Sequence, residues 1–464
     1  MFPGLAGISI PQLRSELRGR VIEPDDVGYD EARTLFYGGF DRRPAVIVRV
    51  ADASDVSRVV TLARETGLPL AVRGGGHSIA GHSVSDGGIV LDLSGMKAID
   101  IDPQGETVWA ESGMTAAEFT NAAAARGLAL GFGDTGSVGI GGLTLGGGVG
   151  YLVRKHGLTI DDLLAAEVVT ADGEILQLDA ESHPDLFWAI RGGGGNFGVV
   201  TRFRFRVHEL DMVVGGMLVL PATPETIHAL IAEAEAAPEE LSTMANVMPA
   251  PPMPFIPEKQ HGKLVILALM CYAGDTEAGE KVIAPFRALA RPVADMLKPM
   301  PYPEIYPPDE EGFHPLAVGH TAFVDEVDRA ATETVVERLE ASTAPMRVVQ
   351  LRVLGGAMAR VPKDATAFAH RDRRLMVNCG ALYEEPEDRA EHQAWTAETA
   401  AALQRGATGA YVNFLGDEGD ARIKDAYPGR TWDRLVQIKA RYDPTNLFLL
   451  NQNIPPAGVE EGAR

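Results

Sequence analysis

The chain has very little cysteine. Only Cys271 and Cys379 occur among its 464 residues. Two thiols cannot build a disulfide framework or a zinc cluster. The sequence therefore predicts no structural metal. Two cysteines without a disulfide framework are compatible with a reducing compartment.

Basic residues are scarce relative to acidic ones. The 42 lysines and arginines stand against 64 aspartates and glutamates, which gives a formal net charge of −22. Such a surface repels DNA, RNA and anionic membranes, so we expect no nucleic-acid or membrane partner. The longest apolar run, at 264–273, is much shorter than the roughly 18 residues of a membrane span, and the N-terminus does not resemble a signal peptide. We therefore expect a cytoplasmic protein. The sequence does not indicate how many subunits it forms.

The length predicts two or three domains, because one core rarely extends that far. Between residues 43 and 210, short β-branched runs alternate with helical patterns. The clearest unit is a strand at 45–50, a helix over 54–66 and a strand at 68–72, which is a βαβ pattern. From about residue 212, proline-rich loops, long helices and strands favour an α+β domain. The segment from 411 is too short to fold alone, so we expect it to dock on the first domain.

Glycine is abundant and clustered. Dense groups lie at 74–76, 139–148 and 192–198. Glycine loops can point several N–H groups at one spot and so hold a pyrophosphate without basic side chains. Use in tight turns is the alternative, and the usual Gly-x-Gly-x-x-Gly fingerprint is absent from the first group. Three clusters in one domain nevertheless favour an extended ligand such as a dinucleotide.

Several motifs in order resemble those of the berberine-bridge-enzyme-like oxidases of the vanillyl-alcohol-oxidase superfamily. They are Arg73-Gly-Gly-Gly-His-Ser, Gly141-Gly-Leu-Thr-Leu-Gly-Gly-Gly-Val-Gly, Arg154-Lys-His-Gly-Leu-Thr, Gly192-Gly-Gly-Gly-Asn-Phe-Gly, Tyr411-Val-Asn and Asn451-Gln-Asn-Ile. The matches extend over nearly the whole chain, and together they are specific where one motif would not be.

The resemblance implies an α+β fold with a PCMH-type FAD-binding domain and an inserted substrate domain, whose antiparallel sheet is flanked by helices. We expect the FAD domain at 1–210, the substrate domain at 211–410 and a segment returning to the FAD domain at 411–464. It also implies FAD bound covalently to His77. The cysteine that gives many relatives a second bond is Thr135 here, so a single tether is expected.

The resemblance and the glycine loops together give a set of expected cofactor-binding residues. These are Arg73, Gly74, Gly75, Gly76, His77, Ser78, Gly81, His82, Thr135, Gly136, Ser137, Gly139, Gly141, Gly142, Gly146, Gly148, Val149, Gly198, Val200, Tyr411, Asn413, Asn451 and Gln452.

The catalytic candidates are Tyr411, Val138 and Cys379. A phenol at Tyr411 could orient or deprotonate a substrate, or it could only hydrogen-bond the cofactor. Val138 matches the position where relatives control the access of oxygen. In relatives, a catalytic base lies on the sheet of the substrate domain, and the matching position here is Cys379, beside Asn378 and Gly380. The main alternative for Cys379 is a buried thiol with a structural role.

The sequence therefore predicts an FAD-dependent oxidase. A small alcohol, amine or phenolic substrate would lose a hydride to FAD, and oxygen would then be reduced to hydrogen peroxide. A dehydrogenase with another acceptor and an oxidative cyclase are alternatives, as is a flavin binder without turnover. His156 and His320 are further candidates for the site, with structural roles as the alternative reading of each.

Overall fold

The computed structural model describes residues 9–102, 104, 106–307, 312–404 and 409–458. The helices in this part of the chain are α1 (Ile10–Glu16), α2 (Tyr29–Arg33), α3 (Ala53–Thr66), α4 (Ala116–Ala124), α5 (Ile140–Leu145), α6 (Val153–His156), α7 (Pro184–Ala189), α8 (Pro224–Ala236), α9 (Thr276–Ala288), α10 (Arg329–Ala341), α11 (Ala357–Arg360), α12 (Arg389–Leu403), α13 (Asp420–Ala426) and α14 (Arg430–Tyr442).

The strands are β1 (Arg20–Ile22), β2 (Val46–Arg49), β3 (Leu70–Arg73), β4 (Ile89–Asp92), β5 (Ile99–Asp102), β6 (Thr107–Glu111), β7 (Leu128–Ala129), β8 (Leu163–Val169), β9 (Ile175–Asp179), β10 (Val199–Arg206), β11 (His208–Glu209), β12 (Met212–Pro221), β13 (Leu241–Pro249), β14 (Leu264–Tyr272), β15 (Ala294–Asp295), β16 (Lys298–Pro301), β17 (Leu316–Val324), β18 (Met346–Val353) and β19 (Leu375–Tyr383).

The first sheet has the order β1-β2-β4-β3, and β4 pairs in parallel with both β2 and β3. Helix α3 connects β2 to β3, so the predicted βαβ unit is confirmed. Asp52 caps its first turn by accepting from the N–H groups of Ser54 and Asp55, and Gly67 ends it in a left-handed conformation. This unit delivers the chain to the first glycine cluster, directly after β3.

The second sheet is antiparallel, with the order β5-β6-β10-β8-β9. Strands β8 and β9 form an antiparallel hairpin whose turn contains residues 171–173. The core of this sheet also contains Leu415, Leu435 and Ile454 from the C-terminal segment.

A third sheet, which we call the roof sheet, is built from β12 to β19. Its order is β15-β12-β14-β13-β18-β19-β17, with β16 paired to β12, and its pairings are antiparallel. Helices α8, α9, α10 and α12 cover one face through a shared apolar core. The other face lies toward the two N-terminal sheets. The predicted α+β class with an antiparallel sheet flanked by helices is confirmed.

Helix α6 docks the roof sheet onto the N-terminal part. Arg154 donates hydrogen bonds to the carbonyl oxygens of Ala234, Ala237 and Leu241 at 2.8–3.0 Å. Lys155 donates to the carbonyl oxygen of Ala273 at 2.5 Å. Two adjacent cations thus bind carbonyl groups at the end of α8, at the start of β13 and just after β14.

A buried lysine docks the C-terminal segment. Lys439 and Asp443 are fully buried and pair at 2.7 Å. Lys439 also donates to the carbonyl oxygens of Asn196 and Phe448. Among the described residues, every helix is too short or too polar to cross a membrane, and no group of three side chains could hold a metal ion.

Candidate functional site

The first two glycine clusters touch each other backbone to backbone. A Cβ on Gly75 would lie 2.3 Å from the Gly139 nitrogen, and one on Gly139 would lie 2.3 Å from the Gly75 nitrogen. Neither position can therefore carry a side chain. By contrast, a Cβ on Gly142 would meet nothing within 4 Å, and one on Gly74 would meet only the Ser112 carbonyl oxygen at 3.8 Å. The two loops form one wall of bare backbone, which we call the glycine wall, with open space in front of Gly74 and Gly142.

Several buried polar atoms around this wall lack a hydrogen-bond partner among the described residues. A buried polar atom without a partner is costly, and a polar ligand lying along the wall would supply partners for the five atoms named next. The atoms are Ser112 Oγ, Ser137 Oγ, Thr144 Oγ1, His82 Nε2 and Asn451 Oδ1. Bare backbone with unpaired hydroxyl, imidazole and amide groups fits a long, polar, flat cofactor.

His77 lies at the end of the first cluster with its ring against Phe36. The ring centroids are 4.1 Å apart and the planes differ by 20°. The loop then turns at Ser78, whose carbonyl oxygen accepts from Gly81 N–H at 2.9 Å and whose hydroxyl accepts from His82 N–H at 3.3 Å. Burial lowers the pKa of His82 to about 4, so this ring is neutral near pH 7.

Arg73 ties the first glycine cluster to α2. Its guanidinium donates to the carbonyl oxygens of Ala32 and Thr34, the latter at 2.7 Å. These carbonyls lie at the end of α2. The Arg73 side chain therefore holds the segment that carries Phe36, and a contact between this residue and the cofactor stays a prediction.

The phenol oxygen of Tyr411 accepts hydrogen bonds from three N–H donors. It accepts from the N–H groups of Gly148 at 3.0 Å and Val149 at 3.2 Å, and from the Asn413 amide at 2.9 Å. Burial raises the pKa of Tyr411, and the three N–H groups oppose that rise. The same amide nitrogen of Asn413 donates to the Leu143 carbonyl oxygen at 3.0 Å. Asn413 therefore positions Tyr411 on the second glycine cluster.

Thr135 lies beside an ion pair that joins the glycine wall to the roof sheet. Its hydroxyl donates to Asp134 at 3.1 Å, and Asp134 pairs with Arg352 of β18. The Arg352 Nε donates to Gln350 at 2.7 Å. Val138 is partly buried against the core of the second sheet. Gly136 packs against Ala117 and Tyr306.

Four polar residues line up across the roof sheet. The strand registers place Asn246 opposite Gln350, Gln350 opposite Asn378, and Asn378 opposite Thr321. Directly opposed residues share one face of a sheet. The next residue on that face of β19, Met376, packs with Val149 and Tyr411, so this row faces the glycine wall. The Asn378 side-chain oxygen is buried without a partner among the described residues.

Cys379 is on the opposite face of β19. It packs with Val377 and Leu375 in the core beneath the helices, and burial raises the pKa of its thiol to about 12. The catalytic assignment of Cys379 is therefore corrected, because the side chain points away from the glycine wall. Its neighbour Asn378 takes that position.

The two candidate histidines are engaged elsewhere. His320 pairs with Glu418 at 2.7 Å. His156 stacks on His208 with 3.8 Å between ring centroids, and burial lowers the pKa of His156 to about 3.

The third cluster is connected to the C-terminal segment through Asn196. Its side chain donates to the Gln452 carbonyl oxygen at 3.1 Å and accepts from Ile454 N–H at 2.9 Å. The Gln452 side chain donates to the Leu415 carbonyl oxygen at 2.7 Å. Gly198 contacts Val168 and Val169, and Val200 packs in the core. These contacts place 451–454 beside the glycine clusters, but the Gln452 and Val200 side chains have protein partners.

Sequence reasoning missed Phe36, Asp134 and Arg352. Phe36 belongs to no motif and lies far from His77 in the chain. The Asp134–Arg352 pair joins the segment before the second glycine cluster to the roof sheet. The only available signal was the position of Asp134 next to Thr135.

Comparison with known proteins decides the family. Residues 44–179 match a family model described as an FAD binding domain, and 410–455 match one described as berberine and berberine like. An uncharacterized FAD-linked oxidoreductase of Bacillus subtilis, YgaK, is 30% identical over 96% of this chain and 98% of its own length. The (R)-6-hydroxynicotine oxidase of Paenarthrobacter nicotinovorans is 31% identical over 95% and 98%. The chain belongs to the berberine-bridge-enzyme-like FAD-linked oxidoreductases.

Solved structures agree with this family. The 6-hydroxy-D-nicotine oxidase of Arthrobacter nicotinovorans superposes with a TM-score of 0.82 at 27% identity, over 94% of this chain and 98% of that one. A xylooligosaccharide oxidase of Myceliophthora thermophila shares the fold, with a TM-score of 0.84 at 24% identity over 96% and 99%. This member of the family is thus an FAD-linked oxidoreductase. The glycine wall and its unpaired polar atoms fit that cofactor.

Proposed function

We propose that this enzyme carries FAD on a single covalent bond to His77, oxidises a small organic substrate and passes the electrons to oxygen, with release of hydrogen peroxide. The observation that carries the proposal is the position of His77 at the end of the glycine wall, with a threonine where relatives have a second tether. A relative that is 31% identical, an (R)-6-hydroxynicotine oxidase, supports the same chemistry.

The single tether rests on the positions of the thiols. Cys271 packs in the apolar cluster between α6 and the roof sheet, and Cys379 packs beneath the helices. Both are buried and free. Thr135 cannot form a thioether.

The tether has a direct test. Acid-precipitated wild-type protein should stay yellow, whereas His77→Ala should release its flavin. A tryptic digest should carry the FAD mass on the peptide 74–97 and leave the peptides containing Cys271 and Cys379 unmodified. A colourless wild-type pellet, or flavin on either cysteine peptide, contradicts the proposal.

When bound, FAD accepts a hydride from the substrate and returns two electrons to oxygen. The enzyme's own residues bind and orient the substrate and move its proton. Tyr411 is the candidate for the proton transfer, because three N–H donors on its oxygen stabilise the anionic phenolate,. A role limited to positioning the cofactor is the alternative for this residue.

Val138 is proposed to leave oxygen room beside the cofactor. Its side chain is partly buried, and one more methylene in a packed site can fill a pocket of about one small molecule.

The roof sheet favours an uncharged substrate. Its polar row consists of two asparagines, a glutamine and a threonine. Arg352, which donates to Gln350, is already paired with Asp134. Arg422, which donates to the Thr321 carbonyl oxygen, is already paired with Glu418 and Asp425. A neutral alcohol or phenol can hydrogen-bond to these amides, whereas an ammonium or carboxylate group would be desolvated there without an unpaired partner.

A substrate panel tests the oxidase function. A true substrate should bleach the yellow flavin under argon, and air should restore the colour with production of peroxide. Bleaching without recovery in air would instead indicate a dehydrogenase with another acceptor. If no uncharged alcohol or phenol bleaches the flavin, the proposed substrate class is contradicted.

We also propose the division into an FAD domain at 1–210, a substrate domain at 211–410 and a returning segment at 411–464. The shared core of the second sheet with Leu415, Leu435 and Ile454 supports it. A cytoplasmic location completes the proposal and rests on the two free thiols.

A further inference from the structure

Phe36 covers one face of the His77 imidazole. The two rings are nearly parallel, with 4.1 Å between centroids. A second aromatic ring, that of Phe313, meets Phe36 edge-on at 6.4 Å and is 42% exposed. Phe36 thus packs flat against the imidazole, and Phe313 is its outer neighbour.

The backbone around Phe36 is held from three directions. The Phe36 N–H donates to the carbonyl oxygen of Gly76, the residue before His77, at 3.2 Å. Arg73 holds the preceding turn through the carbonyl oxygen of Thr34. From the roof side, His314 donates to the carbonyl oxygen of Leu35 at 2.8 Å. Because its backbone is held in this way, the Phe36 side chain has few alternative positions.

We propose that Phe36 is a positioning residue for the covalent attachment of FAD to His77. The lone pair of an imidazole nitrogen lies in the plane of the ring. Fixing that plane therefore fixes the direction of nucleophilic attack, and a misplacement of about 1 Å can cost about 10²-fold in rate. This inference rests on the proposed tether at His77.

Covalent attachment is a two-electron oxidation at the 8-methyl group of the flavin, and oxygen is the final oxidant. A nitrogen of His77 forms a bond to the 8-methyl carbon of the flavin, which loses one hydrogen. The imidazole loses its N–H proton. These two protons and one electron pair go to the flavin ring, which becomes reduced by two electrons. Oxygen then takes the electron pair with two protons and leaves as hydrogen peroxide.

His314 connects the segment that carries Phe36 to the roof sheet. His314 lies just before β17, and the Pro315 carbonyl oxygen accepts from Gly38 N–H at 2.9 Å. The segment that carries Phe36 is therefore fixed only when the roof sheet has docked. Attachment is expected to follow docking, and His314→Ala should slow it by a smaller factor than loss of the Phe36 ring.

The test separates binding of FAD from its attachment. Apoprotein from riboflavin-limited cells is mixed with FAD. Total bound flavin is measured before acid, and flavin in the acid pellet is followed over time. The variants are Phe36→Leu, which removes the stacked ring, and Phe36→Tyr, which keeps it. Phe313→Leu is the matched control, because it makes the same change in the neighbouring ring.

Phe36→Leu should bind FAD within about threefold of wild type but attach it at least about 10-fold more slowly. Phe36→Tyr and Phe313→Leu should attach it at close to the wild-type rate. If Phe36→Leu does not fold, Phe36→Met, which also lacks a ring, replaces it with the same expectation.

Attachment at the wild-type rate in Phe36→Leu overturns the role of Phe36 while the tether stands. An equal loss in Phe36→Tyr also overturns it, because the stacked ring is still present. A colourless wild-type pellet overturns the tether, and the role of Phe36 with it.

Discussion

Asn413 connects Tyr411 to the second glycine cluster through a single amide. Its nitrogen lies 2.9 Å from the Tyr411 phenol oxygen and 3.0 Å from the Leu143 carbonyl oxygen. With the N–H groups of Gly148 and Val149 on the same oxygen, the phenol has more donors than its two lone pairs can accept. That arrangement suits a phenolate better than a phenol, while burial favours the neutral form.

Removing this oxygen should slow the chemistry and spare the cofactor. Tyr411→Phe is expected to keep acid-stable flavin and to slow anaerobic reduction by a true substrate about 10²-fold or more, as for loss of a general base. Stopped-flow absorbance under argon measures the step. Tyr427→Phe is the matched control, because that buried hydroxyl has no partner among the described residues. An unchanged reduction rate in Tyr411→Phe would leave Tyr411 with a packing role only.

The same residue predicts a pH profile. Since burial raises the pKa of Tyr411 above its ordinary value, the phenolate fraction grows about tenfold per pH unit across the range from 7 to 10. The rate of flavin reduction should rise with pH in wild type, and the rise should disappear in Tyr411→Phe. Parallel profiles in the two proteins would assign the pH dependence to another group.

Val138→Leu should separate the two halves of the reaction. The added methylene is expected to slow reoxidation of the reduced enzyme by oxygen about 10-fold or more, while the substrate still reduces the flavin at nearly the wild-type rate. Mixing reduced enzyme with aerated buffer gives the rate, and Val138→Ala should remain fast. Wild-type enzyme that stays reduced for minutes in air would contradict the oxidase proposal.

The buried pair Lys439–Asp443 should dominate the stability of the docked C-terminal segment. Lys439→Met leaves Asp443 buried without its cation, which is expected to lower the free energy of unfolding by about 3–5 kcal/mol. Lys281→Met is the matched control: it breaks an equally spaced pair with Glu277 whose side chains are 73% and 81% exposed, and its effect should stay below about 1 kcal/mol. Denaturant unfolding measures both. Similar small losses in the two variants would show that docking does not depend on the buried pair.

His156 should make the fold sensitive to acid. Its pKa is lowered to about 3 by burial, whereas an unfolded histidine titrates near 6.5. The unfolded chain therefore binds the proton first, and stability is lost as pH falls from about 6.5 toward 3, by up to about 1.4 kcal/mol per pH unit from this group. His156→Phe keeps a flat ring against His208 and should reduce the slope of unfolding free energy over that range. An unchanged slope would contradict the buried, neutral state of His156.

The sequence predicted the parts of the fold that depend on local pattern. The βαβ unit around α3 follows from apolar spacing with Asp52 and Gly67 at its ends. The order of the glycine motifs was sufficient to identify the family, since each motif reflects a close backbone approach such as that of Gly75 and Gly139.

Side-chain direction was harder to predict. On β19 a shift of one residue exchanges the two faces of the sheet, which is why Cys379 was named where Asn378 faces the glycine wall. Arg73 adjoins three glycines of the first cluster, yet its side-chain partners are the carbonyl groups of Ala32 and Thr34 at the end of α2, which carries no motif. Contacts between distant segments, such as Phe36 with His77 or Asp134 with Arg352, leave no local pattern.

The link from Asn196 to Ile454 constrains how the protein is made. Both polar atoms of this side chain are bound by residues about 250 positions later in the chain. A ribosome adds about 5–20 residues per second. The third glycine cluster is therefore synthesised many seconds before residues 452 and 454, with which it makes its last contacts. Folding that depends on such distant contacts is slow. The third glycine cluster therefore completes its contacts late in biosynthesis, after residues 451–454 have left the ribosome, and we expect incomplete chains to accumulate without flavin.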